Sequence, residues 1–414
     1  MGDMNEMLSK SNSFRDDVPN DWRIATLSEI ASVKYGKAKP KQEGSIPVVG
    51  SGGIYSYTES PLVTYSTIIV GRKGSAGMSW LQESPCWPSD TTFYLEWKGE
   101  PFDLHYIFNC FQKRPLSGEH AKTTLPSIQK ADLENYSILL PPLAEQCAIA
   151  HVLRTVQQAK EATEKVIEAA KQLKQSLMQH LFTYGPVQFG EADSVEVQET
   201  EAGCHPSHWM IQHLSAIADL VSGGTPSKQR PDFWKGSIPW VSPKDMKLLY
   251  LQNSEDHISP EGLEDGSRMV PAGSLFIVVR GMILAKEIPI ALALVPMAFN
   301  QDMKAIIPKG DVLPDFLLPA ISNSKKRLIP EIGTSAHGTR RLGTASLERL
   351  KVAIPPMKEQ ADIAQAMECI ESKLTAETTR LEALNTLFAS LLHALMTCQI
   401  RVHDLDLPEL KESS

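Results

Sequence analysis

Cysteine is scarce in this chain: six in 414 residues, none spaced C-x-x-C, too few and too scattered for a disulfide framework or a zinc site. Long apolar runs are scarce too. The best candidate, IPIALALVPMAF from Ile288, is broken by two prolines and falls short of the ~18 residues a spanning helix needs. The opening stretch, MGDMNEMLSKSNSFRDD, lacks the pattern of a secretory or transit peptide, so a cytoplasmic location without membrane association is expected. Catalytic signatures are missing as well. There is no phosphate-binding G-x-x-x-x-G-K-[ST], and GGTPSK at Gly223 has neither its spacing nor its glycine before lysine. No H-E-x-x-H, G-x-S-x-G or glycine-rich dinucleotide fingerprint occurs, nor the Pro-Pro-aromatic tetrapeptide of amino-methyltransferases. These absences predict a chain with no active site, metal or cofactor of its own.

What the sequence does have is a repeat. PPLAEQ begins at Pro141 and PPMKEQ at Pro355, and a shift of 355 − 141 = 214 aligns 141–183 with 355–397 at 14 of 43 identical positions. Upstream, DWRIATLSEIASV from Asp21 is echoed by HWMIQHLSAIADL from His208, and GSIPVV at Gly44 by GSIPWV at Gly236. The chain is a tandem duplication of a globular segment followed by a helical one. Each Pro-Pro-x-x-Glu-Gln phrase reads as a helix start, because proline tolerates the first turn and a first-turn glutamate favours the positive end of the helix dipole.

Segments 20–140 and 207–354 carry short apolar runs punctuated by glycine and proline (STIIVGRKGSAGM, SLFIVVRGM), which predict mixed α/β (α+β), strand-rich domains. In 141–189 the apolar residues Ile149, Val152, Val156, Val166, Leu173, Leu177 and Leu181 recur at helical spacing. In 355–400 Ile363, Met367, Ile370, Leu374, Leu381, Leu384, Leu391 and Leu395 do the same. Neither stripe can be buried alone, so the two helices are expected to pair as a coiled coil. A pseudo-twofold axis between the copies makes that pair antiparallel. The expectation is then a rod of roughly 60 Å with a reading head at each end, between one and two turns of B-DNA.

The formal net charge of −8 argues against a nucleic-acid partner until it is mapped. Residues 190–203 (GEADSVEVQETEAG) hold five acids and no base, and 190–206 is expected to be a solvated acidic linker. Segment 20–140 has twelve charges of each sign, and 204–354 has seventeen basic side chains against fourteen acidic. Basic residues sit in glycine-rich loops: Lys37 and Lys39 in VKYGKAKPKQ, Arg72 and Lys73 in GRKGS, Lys228 and Arg230 in SGGTPSKQRPDFW, Lys244 in SPKDMK, Arg280 in VVRGM, and Arg340 and Arg341 in GTRRLG. Any one of them can be a solvated loop charge. Clusters at similar places in both halves suit phosphate and guanine-edge contacts.

The whole pattern resembles the specificity subunit of type I restriction-modification systems, over roughly 20–400. Two full-unit repeats ending in PPLAEQ and PPMKEQ carry the resemblance, supported by GGTPSKQRPDFWKGSIPWVSPKDM and IIVGRKGSAGM. The resemblance implies that 20–140 and 207–354 are target recognition domains, each reading one half of a bipartite, asymmetric site in double-stranded DNA. It implies that the helices set the spacer and that two modification subunits, with S-adenosylmethionine, and restriction subunits, with ATP and Mg²⁺, supply the chemistry. Pro141, Pro142, Glu145, Gln146, Pro355, Pro356, Glu359 and Gln360 would then form the domain-to-helix corners or dock the modification subunits. A two-headed protein-binding scaffold without DNA specificity is the alternative.

Overall fold

The computed structural model describes residues 19–99, 101–116, 127–334 and 338–405. The chain divides into two units, 1–165 with 378–414 and 166–377, so each unit takes part of both long helices.

In the first unit a strand, β1 (Arg23–Thr26), pairs antiparallel with β9 (Ser137–Leu140), the last strand before the long helix. Between them lies an antiparallel sheet of β2 (Ala31–Tyr35), β8 (Thr92–Trp97), β5 (Thr67–Gly71) and β6 (Ser79–Gln82), in that spatial order. A second sheet places β3 (Ile46–Gly50) between β4 (Gly53–Thr58) and the short β7 (Trp87–Pro88). The run TIIVG of β5 is buried throughout, as a central strand covered on both faces should be. Helix α1 (Leu104–Lys113), capped by the Asp103 side chain on the Tyr106 N–H, covers the sheet with Tyr106, Ile107 and Phe111.

The second unit repeats this plan. Strand β12 (Met210–His213) pairs with β24 (Lys351–Ile354). The main sheet runs β13 (Ala218–Ser222), β21 (Met303–Pro308), β18 (Leu275–Val278), β19 (Ile290–Ala293) and β15 (Tyr250–Leu251). The second sheet runs β16 (Asp256–Ile258), β14 (Ile238–Val241), β20 (Met297–Phe299) and β17 (Met269–Val270), and β22 (Ile332–Thr334) pairs with β23 (Arg340–Leu342). Helix α3 (Pro314–Leu328) takes the place of α1. The expected acidic linker is not bare chain. After a 3₁₀ turn at Phe189–Ser194, β10 (Val197–Thr200) and β11 (Gly203–Pro206) form an antiparallel hairpin. Of the five acids only Glu199 lies in a strand of this hairpin, and Glu201 at its turn pairs with Lys351 at 2.9 Å.

The long helices are α2 (Leu143–Tyr184, 42 residues) and α4 (Met357–Met396, 40 residues). Within the first unit, Ile149 and Leu153 of α2 share a core with Leu392, Leu395 and Met396 of α4. Within the second, Leu181 and Phe182 of α2 share one with Ile363, Met367 and Ile370. The start of one helix meets the end of the other in each unit, so the helices are antiparallel. Every α4 position expected on the stripe is turned inward, with Glu377 and Phe388 filling the gaps. In α2 the seam differs from the expected one: Val166 and Leu173 are exposed, and Thr163, Ile167 and Ala170 are buried instead. The 3-4 spacing of the seam continues through Lys160, whose ammonium lies 4.7 Å from the Phe388 ring centroid, and Lys174, which pairs with Glu371. Among the described residues no helix is long and apolar enough to cross a membrane.

Candidate nucleic-acid interface and domain corners

The repeated hexapeptide builds the same corner twice. In the first unit the Gln146 side-chain amide donates to the Pro141 carbonyl at 3.0 Å and its oxygen accepts from the Asp103 N–H at 3.0 Å. In the second, Gln360 donates to the Pro355 carbonyl at 3.0 Å and the Asp311 carbonyl at 2.9 Å, and accepts from the Leu313 N–H at 2.9 Å. Asp103 and Leu313 are the N-cap residues of α1 and α3, so each glutamine ties the long helix to the covering helix of its domain. Both glutamines are buried. The glutamates do the other half of the work: Glu145 accepts from the Trp22 indole at 2.9 Å and Glu359 from the Trp209 indole at 2.8 Å. The first proline of each phrase is buried and the second exposed; the carbonyl of the latter accepts the opening helical bond, from Gln146 and Gln360 respectively at 3.0 Å.

The corners differ in how the glutamate charge is met. At Glu359 the partner is His208, 2.7 Å away, with Gly185 packed against the carboxylate. Gly185 has φ +81°, the left-handed cap that ends α2, where the backbone conformation disfavours any side chain although an added Cβ would meet Glu359 and Trp209 only at ordinary contact distances. At Glu145 the partner is Arg401, from the segment after α4, which also forks onto Asp21 at 2.7 and 3.1 Å. The Arg401 hydrogen bond holds the Asp21 carboxyl below its usual range. A carboxyl depressed in the folded state contributes stability fully above its unfolded value, about pH 4, and loses it as pH falls through the lowered one. Arg401→Gln is therefore expected to lower stability at neutral pH and to flatten the loss of stability as pH falls below about 4. Urea denaturation across pH tests this; parallel wild-type and variant curves would refute the linkage.

The basic loops also share a geometry. The Ser89 N–H donates to the Val49 carbonyl, and Asn300 to Val241, both at 2.9 Å. Two residues on, the Thr91 carbonyl accepts from the N–H groups of Arg72 and Lys73, and the Asp302 carbonyl from those of Val279 and Arg280. Ile128 donates back to the Arg72 carbonyl and Leu342 to Val279, and single bridges join Lys73 to Ser127 and Arg280 to Arg341. Lys73 and Arg280 are thus structural counterparts, and Arg72 matches Val279. The glycine of each half that precedes this site has no room for a side chain: a Cβ on Gly36 would sit 2.0 Å from the Ser89 carbonyl oxygen, and one on Gly223 2.3 Å from that of Asn300.

In the first unit the structure gathers Lys37, Arg72 and Lys73 around the 88–91 turn. Arg72 is partly spent: its guanidinium lies 5.4 Å from the Tyr35 ring centroid and donates to the Asp90 carbonyl at 2.8 Å. Lys39 is held by the Ser56 hydroxyl. Tyr35, Tyr55 and Tyr57 are exposed in this unit and were not among the expected contacts. In the second unit Arg280, Arg340 and Arg341 come together, since the Gly281 N–H donates to the Arg340 carbonyl at 3.1 Å. Arg280 reaches Asp302 only at 3.9 Å. Arg230 instead forks onto Asp232 at 3.0 and 2.7 Å, and Lys244 pairs with Glu255 and Asp256. Lys228 has no ion pair with a described residue. Lys304 joins the arginine group: burial lowers its ammonium pKa, opposed by the Glu348 carboxylate and aided by the nearby Arg341 charge.

A strand-rich domain with a cationic loop cluster, followed by a long helix, is thus built twice along the chain. The family described as type I restriction modification DNA specificity domain matches residues 19–172 and 206–386, and the chain belongs to that family. The chain is 36% identical over 157 residues to the EcoR124I/EcoR124II specificity subunit of Escherichia coli, a match covering 37% of this chain and 39% of that one. The match to the MjaIX specificity subunit of Methanocaldococcus jannaschii likewise covers 42% of that protein, so the chain spans about two fifths of the length of these two relatives. Against the MjaVIII specificity subunit of the same organism it is 23% identical, over 94% of this chain and 95% of that one. The fold matches the crystal structure of a type I restriction-modification S subunit from M. genitalium, with a TM-score of 0.67 at 17% identity over 92% of this chain and 97% of that one.

Proposed function

We propose that this chain is the non-catalytic specificity subunit of a type I restriction-modification complex, its two recognition domains each reading one half of a bipartite, asymmetric site in double-stranded DNA. The observation that carries this reading is the loop site built twice on the same main-chain hydrogen bonds with different side chains mounted on it. One backbone frame presenting two sets of side chains suits two different half-sites. The ten basic residues named from the sequence act here in unequal ways. Lys37, Lys73, Arg280, Arg340 and Arg341 are the principal DNA contacts; Arg72 orients Tyr35, and Arg230 and Lys244 exchange carboxylates for phosphates on binding. Lys39 and Lys228 contribute charge at the edge.

The antiparallel helices fix the spacer between half-sites and carry two modification subunits, which bring S-adenosylmethionine to adenine. Restriction subunits add ATP- and Mg²⁺-dependent translocation and cleavage. The test is adenine methylation mapping of DNA from cells expressing this chain with its modification subunit. Two short half-sites with a fixed gap are expected as a new methylated motif. An active, bound modification subunit with an unchanged methylation pattern would leave the two-headed protein-binding scaffold as the better account.

A further inference from the structure

The matched backbone of the two loop sites extends one step along the strands, where the side chains stop matching. Tyr35 on β2 faces Phe93 on β8, and Ser222 on β13 faces Lys304 on β21. With Thr91 aligned to Asp302 by the hydrogen bonds above, Phe93 falls on Lys304 and Tyr35 on Ser222. The same cross-strand pair is aromatic in one domain and polar and cationic in the other.

In the first domain Phe93 is buried under Tyr35, ring centroids 5.1 Å apart, and the Tyr35 ring remains 52% exposed. Arg72 lies 5.4 Å from the Tyr35 centroid and 5.9 Å from that of Phe93, with one nitrogen committed to the Asp90 carbonyl. The ring is therefore fixed from below and beside and offers an apolar surface. In the second domain the Lys304 ammonium donates to the Ser222 hydroxyl at 2.6 Å and has Arg341 nearby, with Glu348 as an acidic neighbour. Arg280 stands next to this pair through its bridge to Arg341. Lysine and arginine are donors only, and their match among base edges is the acceptor pair N7 and O6 of guanine; an apolar face matches the thymine methyl group.

We propose that this cross-strand pair is a specificity determinant: Tyr35 over Phe93 reads a thymine methyl in one half-site, and Lys304 with Ser222, beside Arg280, reads a guanine in the other. The assignment rests on the sequence-reading function proposed above and adds the chemical class that each domain recognises.

The test maps adenine methylation by the assembled methyltransferase carrying wild-type chain, Tyr35→Ser, Lys304→Met or Lys304→Gln. Tyr35→Ser, which removes the apolar face, is expected to relax one A·T position in one half-site about tenfold or more, and either Lys304 variant one G·C position in the other half-site by a similar factor. The half-site not targeted stays unchanged, which also reports that the variant is folded. The inference is overturned if the two positions relax the same half-site, if the base-pair types are reversed, or if both Lys304 variants weaken methylation equally at every site, as a phosphate contact would. A wild-type chain giving no bipartite motif at all would instead refute the sequence-reading function itself.

Discussion

Replacing Gln360 by alanine is expected to destabilise the second unit by about 3 kcal/mol, since each buried group left unsatisfied costs about 1–3 kcal/mol. The side chain is 1% exposed and joins three main-chain groups, the Leu313 N–H and the carbonyls of Asp311 and Pro355. Alanine leaves all three without their partner and removes the link between α4 and the N-terminus of α3. Gln360→Glu keeps the size but turns an amide donor into an acceptor facing two carbonyls, so it is not a mild substitution. Gln146→Ala breaks two bonds rather than three and should cost less. Urea denaturation followed by tryptophan fluorescence separates these cases. A Gln360→Ala effect within about 0.5 kcal/mol, the range of an ordinary surface change, would mean the corner is held by something else.

DNA binding by the assembled complex should lose salt sensitivity when Lys37, Lys73, Arg280 and Arg341 are replaced together by alanine. Each phosphate contact releases condensed counterions and contributes about 0.9 to the slope of log affinity against log salt. Four lost contacts should flatten the slope by between about 3 and 4. Substituting Arg230 and Lys244 is expected to change it less, because Asp232 and the pair Glu255 and Asp256 already neutralise those charges. Anisotropy titrations at several salt concentrations measure both. An unchanged slope in the fourfold variant would place the phosphate grip elsewhere.

Much of this architecture was legible because it rests on short-range rules. Prolines before a periodic run mark helix starts, and identical phrases 214 residues apart mark a duplication, so both long helices and both corners could be read in advance. What Gln146 and Gln360 do was not legible, since their partners at Asp103 and Leu313 lie 43 and 47 residues away. The α2 seam was misread at Val166 and Leu173 because apolar residues were counted as inward, whereas Thr163, Ala170 and two lysines occupy the inner face. The candidate interface shows the same limit. Lys73, Arg280 and Arg341 stand out as loop cations, but the match of Lys73 to Arg280 and the placing of Lys304 beside Ser222 depend on strand register. Register is set by pairing across the sheet and cannot be taken from the spacing of one strand.

The lysines in the α2 seam have a consequence for which helix may partner which. Lys160 lies against Phe388, and the 214-residue shift maps Phe388 back onto Lys174. A helix α2 meeting a second α2 in the same antiparallel register would therefore set Lys160 against Lys174, and by symmetry do so twice. Two like-charge pairs oppose that assembly. Against α4 the same lysine finds an aromatic face. Divergence after duplication has thus left α2 unsuited to a second α2 and complementary to α4, which favours their pairing within one chain.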